Sequence, residues 1–273
     1  MKIAVIQQHA TRDKASNVAR GLANLETAAR DGAQLACYAE LAFEWFHPQR
    51  PATGDVRALA EPLDGPLVTA FQKKARELGV VLVLNLFERD GAETFDSSPV
   101  IDADGSLLGV TRMVHITEYA CFHEQGYYTP GDQGAPVYQT KVGRVGVAIC
   151  YDRHFPEYMR ALAVDSAELV VVPQAGAVGE WPDGLYEGEM RVAAFQNGYY
   201  VALCNRVGQE DCLDFAGESF VCAPDGAIVS RAALGRDEIL YADVDLGTTA
   251  RSHARELFMK HRRPELYGGW LGR

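Results

Sequence analysis

The feature that most limits what this chain can fold into is a rhythm. Short apolar runs of strand length alternate with amphipathic stretches of helix length, and hairpin signals interrupt them. "KIAVIQQ" reads as a buried strand, and residues 16–30 then set Val18, Leu22, Leu25 and Ala29 on one helical face. "AQLACYAEL" is the next strand, ending at Glu40. "GPLVTAFQKKAREL" is a second helix, and "VVLVLNLFE" one buried strand. "SSPVIDADGSLLGVTRMVHI" is a hairpin on "DADG", and "PVYQTKVGRVGVAIC" a second hairpin whose last strand ends at Cys150. A helix ("FPEYMRALAVDSA"), a strand ("ELVVVPQAG"), a helix ("GLYEGEMRVAAFQNG") and a strand ("YYVALCNRVG") follow. "ESFVCAPDGAIVSRA" adds a hairpin and "EILYADVDL" a last strand. Strand–helix units mixed with hairpins predict an α/β fold with mixed, layered sheets. No linker, repeat or low-complexity stretch divides residues 1–273, so one domain is expected. Residues 41–60 and 117–134 are the longest irregular stretches, and long loops in compact domains tend to carry function.

Charge narrows the partners. The net charge is −11, with no basic run, so neither nucleic acid nor an anionic membrane is an expected partner. No apolar run approaches a membrane span, and the opening segment lacks a signal peptide's long apolar region, so the expected compartment is the cytoplasm. The six cysteines, Cys37, Cys121, Cys150, Cys204, Cys212 and Cys222, are irregularly spaced without a CxxC pair. That spacing predicts reduced thiols, mostly in the core, with no disulfide framework and no zinc site. No HxH or HExxH pattern is present, so no metal and no cofactor is expected.

Three positions recur at strand ends: Glu40 after "LACYA", Cys150 after "VGVAI", and Met113 with His115 in "GVTRMVHI". Ligand sites in open α/β sheets gather at the carboxyl ends of strands. A carboxylate and a thiol brought together there can act as base and nucleophile.

The words around these residues add a resemblance. "GRVGVAICYDRHFPEYMRALA" strongly resembles the nucleophile segment of the nitrilase superfamily of carbon–nitrogen hydrolases. "LACYAEL" resembles the segment bearing that family's catalytic glutamate, and "HEQGYYTPGD" its loop with a second glutamate. "MRVAAFQNGYYVALCNRVG" and "GESFVCAPDG" are similar to its later segments. The resemblance implies a four-layer αββα sandwich, a homodimer or larger assembly, and attack on an amide, nitrile or carbamoyl carbon through a thioester-type intermediate. It implies Cys150 as nucleophile, Glu40 as general base, Glu124 as the second carboxylate, and the Tyr151 N–H in an oxyanion hole. It also implies a lysine, whose slot in "TRMVHI" is filled by Met113.

Methionine carries no charge and donates no hydrogen bond, although it fills the volume. Losing one electrostatic partner of a developing oxyanion costs roughly 100- to 1000-fold in rate. Without the cation, Glu40 and Glu124 should disfavour joint ionisation, and support for a Cys150 thiolate should fall. Alternation along the strand puts Thr111, Met113 and His115 on one face and turns Arg112 away. Lys73, Lys74 and Lys141 lie on a helix and a turn with no motif linking them to the site; His123 and His154 are the local alternatives. Three explanations stand open: an engineered lysine-to-methionine trap, a natural branch with a rewired site, or a ligand-binding homologue without turnover. Ala39, where the family often has proline, favours the natural branch.

"ICYDRHFPE" and "LYEGEMRVAAFQN…NRVG" look most like β-ureidopropionase and related N-carbamoyl amino acid amidohydrolases. That implies a small amide or ureido substrate, with Arg153 and His154 gripping a substrate carboxylate. His115, Tyr151, Gln174 and Arg191 complete the expected binding set, with Ala175 lining the pocket and Tyr127 and Tyr128 shaping the loop.

Overall fold

The computed structural model describes residues 1–271. In chain order the strands are β1 (Lys2–Gln7), β2 (Leu35–Tyr38), β3 (Val81–Val83), β4 (Leu86–Asp90), β5 (Glu93–Ile101) and β6 (Leu107–Arg112). Next come β7 (Glu118–Tyr119), β8 (Phe122–His123), β9 (Val137–Thr140), β10 (Gly143–Val147), β11 (Leu169–Gln174) and β12 (Tyr200–Asn205). The last are β13 (Val207–Gln209), β14 (Asp214–Ala216), β15 (Phe220–Cys222), β16 (Ile228–Arg231) and β17 (Glu238–Asp243). The helices are α1 (Lys14–Arg30), α2 (Pro66–Leu78), α3 (Pro156–Val164), α4 (Leu185–Asn197) and α5 (Pro264–Leu271).

Two mixed sheets result. One runs β17-β1-β2-β3-β5-β4, with β6 also on β5; the other runs β16-β15-β12-β11-β10-β9. Strands β1–β3 are parallel, as are β10–β12, and the hairpin strands flank them antiparallel. Strand alternation then builds the layers. Val145, Val147, Leu169, Val171, Ala202 and Cys204 join the core shared with the first sheet. Their neighbours Ala148, Val170, Val172, Val201 and Leu203 pack instead with Tyr158, Leu162, Met190 and Ala194 of α3 and α4. Helices α1 and α2 cover the first sheet through Leu25, Ala28, Leu67, Phe71 and Ala75. The expected αββα layering is therefore present.

Two expectations change. "VVLVLNLFE" is not one strand: it breaks between β3 and β4 at Leu84-Asn85. There the Asn85 carboxamide turns inward, accepting from the Leu41 N–H (2.7 Å) and donating to Asp96 (2.5 Å) and Ser98 (3.1 Å). A buried amide that can fill its own polar capacity this way outweighs one rung of the ladder. Nor are all the cysteines reduced. Cys121 and Cys212 form a disulfide, with Cα atoms 6.3 Å apart and a sequence separation of 91; Cys37, Cys150, Cys204 and Cys222 are free and buried. Spacing could not reveal this pair, because the bond joins two loops that only the fold brings together. It ties the 117–134 loop, expected to be irregular and found to hold β7 and β8, to the β13–β14 hairpin.

Candidate active site

The carboxyl ends of the central parallel strands converge where the two sheets meet. Glu40 lies two residues past β2, Asn85 two past β3 and Cys150 three past β10, while Gln174 ends β11 and Arg206 follows β12. Each key residue sits on a sharp turn. Cys150 itself has φ 42°, and Leu41, after Glu40, has φ 44°. Left-handed conformations cost a side-chain-bearing residue about 1–3 kcal/mol, so the surrounding contacts must hold them.

Those contacts are specific. The buried Arg206 guanidinium donates to the carbonyls of Glu40 (2.9 Å), Leu41 and Glu44 (3.1 Å) and ion-pairs with Glu210, which fixes the turn carrying Glu40. The turn at Cys150–His154 is a short 3₁₀ helix. Its Asp152 accepts from the backbone N–H groups of Val114 (3.2 Å) and His115 (3.0 Å) and pairs with His115 Nδ1 (2.7 Å). Asp152 thereby staples the segment after Met113 to the nucleophile turn. His115 also stacks on Phe155, with ring centroids 3.5 Å apart, so its ring is committed to structure.

Around the thiol, Gln174 Nε2 stands 3.2 Å from Sγ, and the Ala175 backbone N–H also reaches the sulfur. The Glu40 carboxyl is within hydrogen-bonding reach of Cys150 and of a residue not anticipated from the sequence, Asp96 of β5. Glu124 completes the group: one oxygen accepts from the Thr117 N–H (3.3 Å). Both Glu40 oxygens, Asp96 Oδ2, Glu124 Oε1 and the Tyr128 hydroxyl are buried without a hydrogen-bond partner among the described residues. Met113 is fully buried directly across from Asp96, its N–H donating to the Asp96 carbonyl at 2.9 Å. Gly131 closes over it, donating to the Met113 carbonyl (2.8 Å); a Cβ at 131 would lie 2.5 Å from the Arg112 carbonyl oxygen. Arg112 turns away, as alternation predicts, and pairs with Glu88 and Asp90.

Among the described residues, no lysine or arginine side chain forms an ion pair with Glu40, Asp96 or Glu124. The electrostatics follow from that. Burial first, then the charges of Asp96 and Glu124, push Glu40 well above the carboxylate range. Burial likewise lifts Glu124, with Asp96 adding to it, and raises Asp96 to about 7. Burial, then Glu40 and Glu124, push the Cys150 thiol up, so it rests as a neutral thiol.

The outer wall is different. A cavity of about 610 Å³ opens beside the Cys150 turn, lined in part by Arg153, His154, Arg160, Trp181, Tyr186 and Glu189. Arg153 is not a free fork: it donates to Gln174 Oε1 (2.8 Å), pairs with Glu189 and stacks over Tyr186. His154 Nδ1 binds the other Glu189 oxygen at 2.8 Å. Glu180 accepts from the hydroxyls of Tyr119 and Tyr186 and from the Ala177 N–H. Arg191 stands apart, exposed and bonded to the Gly226 carbonyl and Glu187. His123 is taken by Glu118, and Lys74 by Glu26 and Glu77. Tyr127 shapes the loop as expected, donating to the Arg50 carbonyl.

The αββα architecture, with a thiol and two glutamates at converging strand ends, defines a class before any comparison is made. The carbon-nitrogen hydrolase family pattern matches residues 2–254, and the chain belongs to that family. It is 33% identical to an N-carbamoylputrescine amidase from Solanum lycopersicum, over 97% of this chain and 93% of that protein. It is 32% identical to a citrullinase from Francisella tularensis, over 98% and 96% respectively. A solved carbon-nitrogen hydrolase from Helicobacter pylori superposes with a TM-score of 0.90 at 28% identity, covering 100% of this chain and 99% of that one. An amidase variant from Nesterenkonia sp., with the acetamide moiety of fluoroacetamide covalently added at its active-site cysteine, superposes with a TM-score of 0.83 at 27% identity, covering 99% and 96%.

Proposed function

We propose that this protein hydrolyses the C–N bond of a small carbamoyl or amide substrate through a covalent adduct on Cys150. Met113 occupies the position of the family's lysine. The observation that carries the reading is the buried Glu40 carboxyl, its oxygens without a hydrogen-bond partner among the described residues, beside the Cys150 thiol on its left-handed turn. Glu40 takes the thiol proton as sulfur attacks the carbonyl carbon. The Tyr151 N–H receives the oxyanion, and Glu124 orients the site. Glu40 then returns the proton to the departing nitrogen, and water cleaves the thioester-type adduct. The similar cysteine-linked adduct on the Nesterenkonia amidase supports this chemistry.

Glu189 pairs with both Arg153 and His154, so neither is a free partner for a substrate carboxylate, while Arg160 on the same wall is held, among the described residues, only by the Gln196 carbonyl and the Met259 sulfur. The N-carbamoylputrescine amidase among the relatives makes a carbamoyl amine the first substrate to test, with N-carbamoyl acids beside it. The exposed Leu185, Val192 and Phe195 of α4 support assembly into a homodimer or larger oligomer. A second reading, a ligand-binding homologue without turnover, is favoured by one observation, the apolar Met113 buried beside the carboxyl group cluster.

The test is ammonia release together with intact mass across N-carbamoylputrescine, citrulline, N-carbamoyl amino acids, ω-amides and simple amides. Turnover, or a mass increment mapping to Cys150, supports the hydrolase. Binding without either supports the second reading.

A further inference from the structure

Two carboxyl groups buried within hydrogen-bond reach of each other require a hydrogen between them. That is the situation of Glu40 and Asp96. Neither Glu40 oxygen meets an N–H donor, and Asp96 Oδ2 meets none either. Asp96 is also braced: its Oδ1 accepts from Asn85 Nδ2 at 2.5 Å, and the same carboxamide receives the N–H of Leu41, the residue after Glu40. One asparagine thus sets both carboxyls in register.

We propose that Asp96 and Glu40 share one proton and act as a pair in which Asp96, a positioning residue, makes Glu40 competent as the base for Cys150. The proposal rests on the hydrolase reading above and adds to it the group that answers for the missing cation. In the resting pair Glu40 carries the hydrogen and donates it to an ionised Asp96. As the Cys150 S–H bond breaks, its proton passes to the free Glu40 oxygen while the Glu40 hydrogen moves to Asp96 Oδ2. The sulfur electron pair forms the bond to the carbonyl carbon, and the carbonyl π pair moves onto oxygen. The negative charge has travelled from Asp96 to the oxyanion, with both carboxyls now neutral. When the nitrogen leaves it takes the proton from Glu40, the hydrogen on Asp96 returns, and the resting pair is restored. A lysine can hold such a site by cancelling charge; here a shared proton keeps the second carboxylate from forming.

The titratable groups around Asp96 are the Glu40 and Glu124 carboxyls and the Tyr128 phenol, together with Asp152 and Glu44. The basic side chains in contact with this surround are His115 on Asp152, and Lys14 and His47 on Glu44. Asp96 titrates at about 7 because burial dominates. The pair therefore holds two protons below that pH and one above it, and base activity rises with pH through the transition. In a carboxyl pair the first proton leaves more easily than from either member alone, since the remaining hydrogen stabilises the anion.

The test is the rate of Cys150 alkylation by iodoacetamide against pH, read by intact mass and peptide mapping. It runs alongside an infrared titration of protonated-carboxyl carbonyl bands. In the parent the alkylation rate climbs around pH 7, and a carboxyl band disappears over the same range. In Asp96→Asn the climb moves to higher pH by about one unit or more, about tenfold slower at any pH on that limb, and the band titrating near 7 is lost. Should Asp96→Asn fail to fold, Asn85→Ser tests the same point: removing the donor to Asp96 moves the limb upward with Asp96 in place. A limb and band unchanged, or moved to lower pH, overturn the proposal. A Cys150 no more reactive than Cys204 or Cys222 at every pH overturns the hydrolase reading and with it the base role. A lost band in Asp96→Asn would then still leave the shared proton standing.

Discussion

The inner floor of the site and its outer wall lie a few residues apart and handle charge in opposite ways. On the wall Arg153 and His154 share Glu189, and Glu180 is filled by two tyrosines and a backbone N–H. On the floor, Glu40, Asp96 and Glu124 meet with no lysine or arginine paired to them among the described residues. A wall with satisfied charges can select a ligand by shape and by the polarity left over. A floor with unsatisfied carboxyls must hold protons, so its chemistry responds to pH.

The comparison can be broken most severely at Cys150. Cys150→Ala should abolish turnover and the covalent adduct, a loss of about ten-thousand-fold or more in ammonia release, with the fold retained in circular dichroism. Met113→Lys supplies the floor with the cation it lacks. An opposite charge at this distance should bring the Glu40 carboxyl down by about 1–3 pH units, so the ascending limb of the rate–pH profile should move to lower pH. An unmoved limb would mean that position 113 does not address Glu40.

Reducing the Cys121–Cys212 bond should lower stability by about 2–4 kcal/mol, because it frees a long loop in the unfolded chain. Denaturation with and without a phosphine reductant measures this. Stability should also depend on pH through the floor. Carboxyls with raised values bind protons in the folded chain that the unfolded chain has released, so stability is greatest below the ordinary carboxylate range. It falls as pH rises through Asp96's value of about 7. Melting temperatures of Asp96→Asn, compared with the parent on both sides of that window, should show a shallower decline. The smallest effect belongs to the wall. Glu189→Gln releases Arg153 and should shift preference toward carboxylate-bearing carbamoyl substrates by about tenfold, worth about 1.4 kcal/mol. Competition between N-carbamoylputrescine and an N-carbamoyl amino acid reads it directly.

How much of this could be seen in advance varies with the kind of signal. Apolar periodicity marked the strands of the two large sheets and helices α1–α4, because burial on one face repeats locally, but not the short pairs β7–β8 and β13–β14 or α5. It missed the break at Asn85, where a long-range amide bond overrides a continuous apolar run. Glu40, Glu124, Cys150 and Met113 could be picked out from the words around them, and the fold brings all four together. Asp96 was hidden in "TFDSSPVID", where one acidic residue in a strand looks like any solvated position. Arg206 and Glu189 were visible only as parts of "NRVG" and "LYEGEMRVAAFQN", and Glu180 carried no local mark at all.

By itself, then, the sequence determined the α/β alternation, the layered architecture its motifs imply, and the residue types available for thiol chemistry. These depend on local periodicity and on short contiguous words. Only the tertiary structure decided which charges meet. It placed Asp96 against Glu40, turned Arg153 from a free fork into half of an ion pair, and joined Cys121 to Cys212 across 91 residues. The reason is physical: a buried group's charge state is set by what the whole fold packs around it, and no neighbouring letter in the chain records that environment.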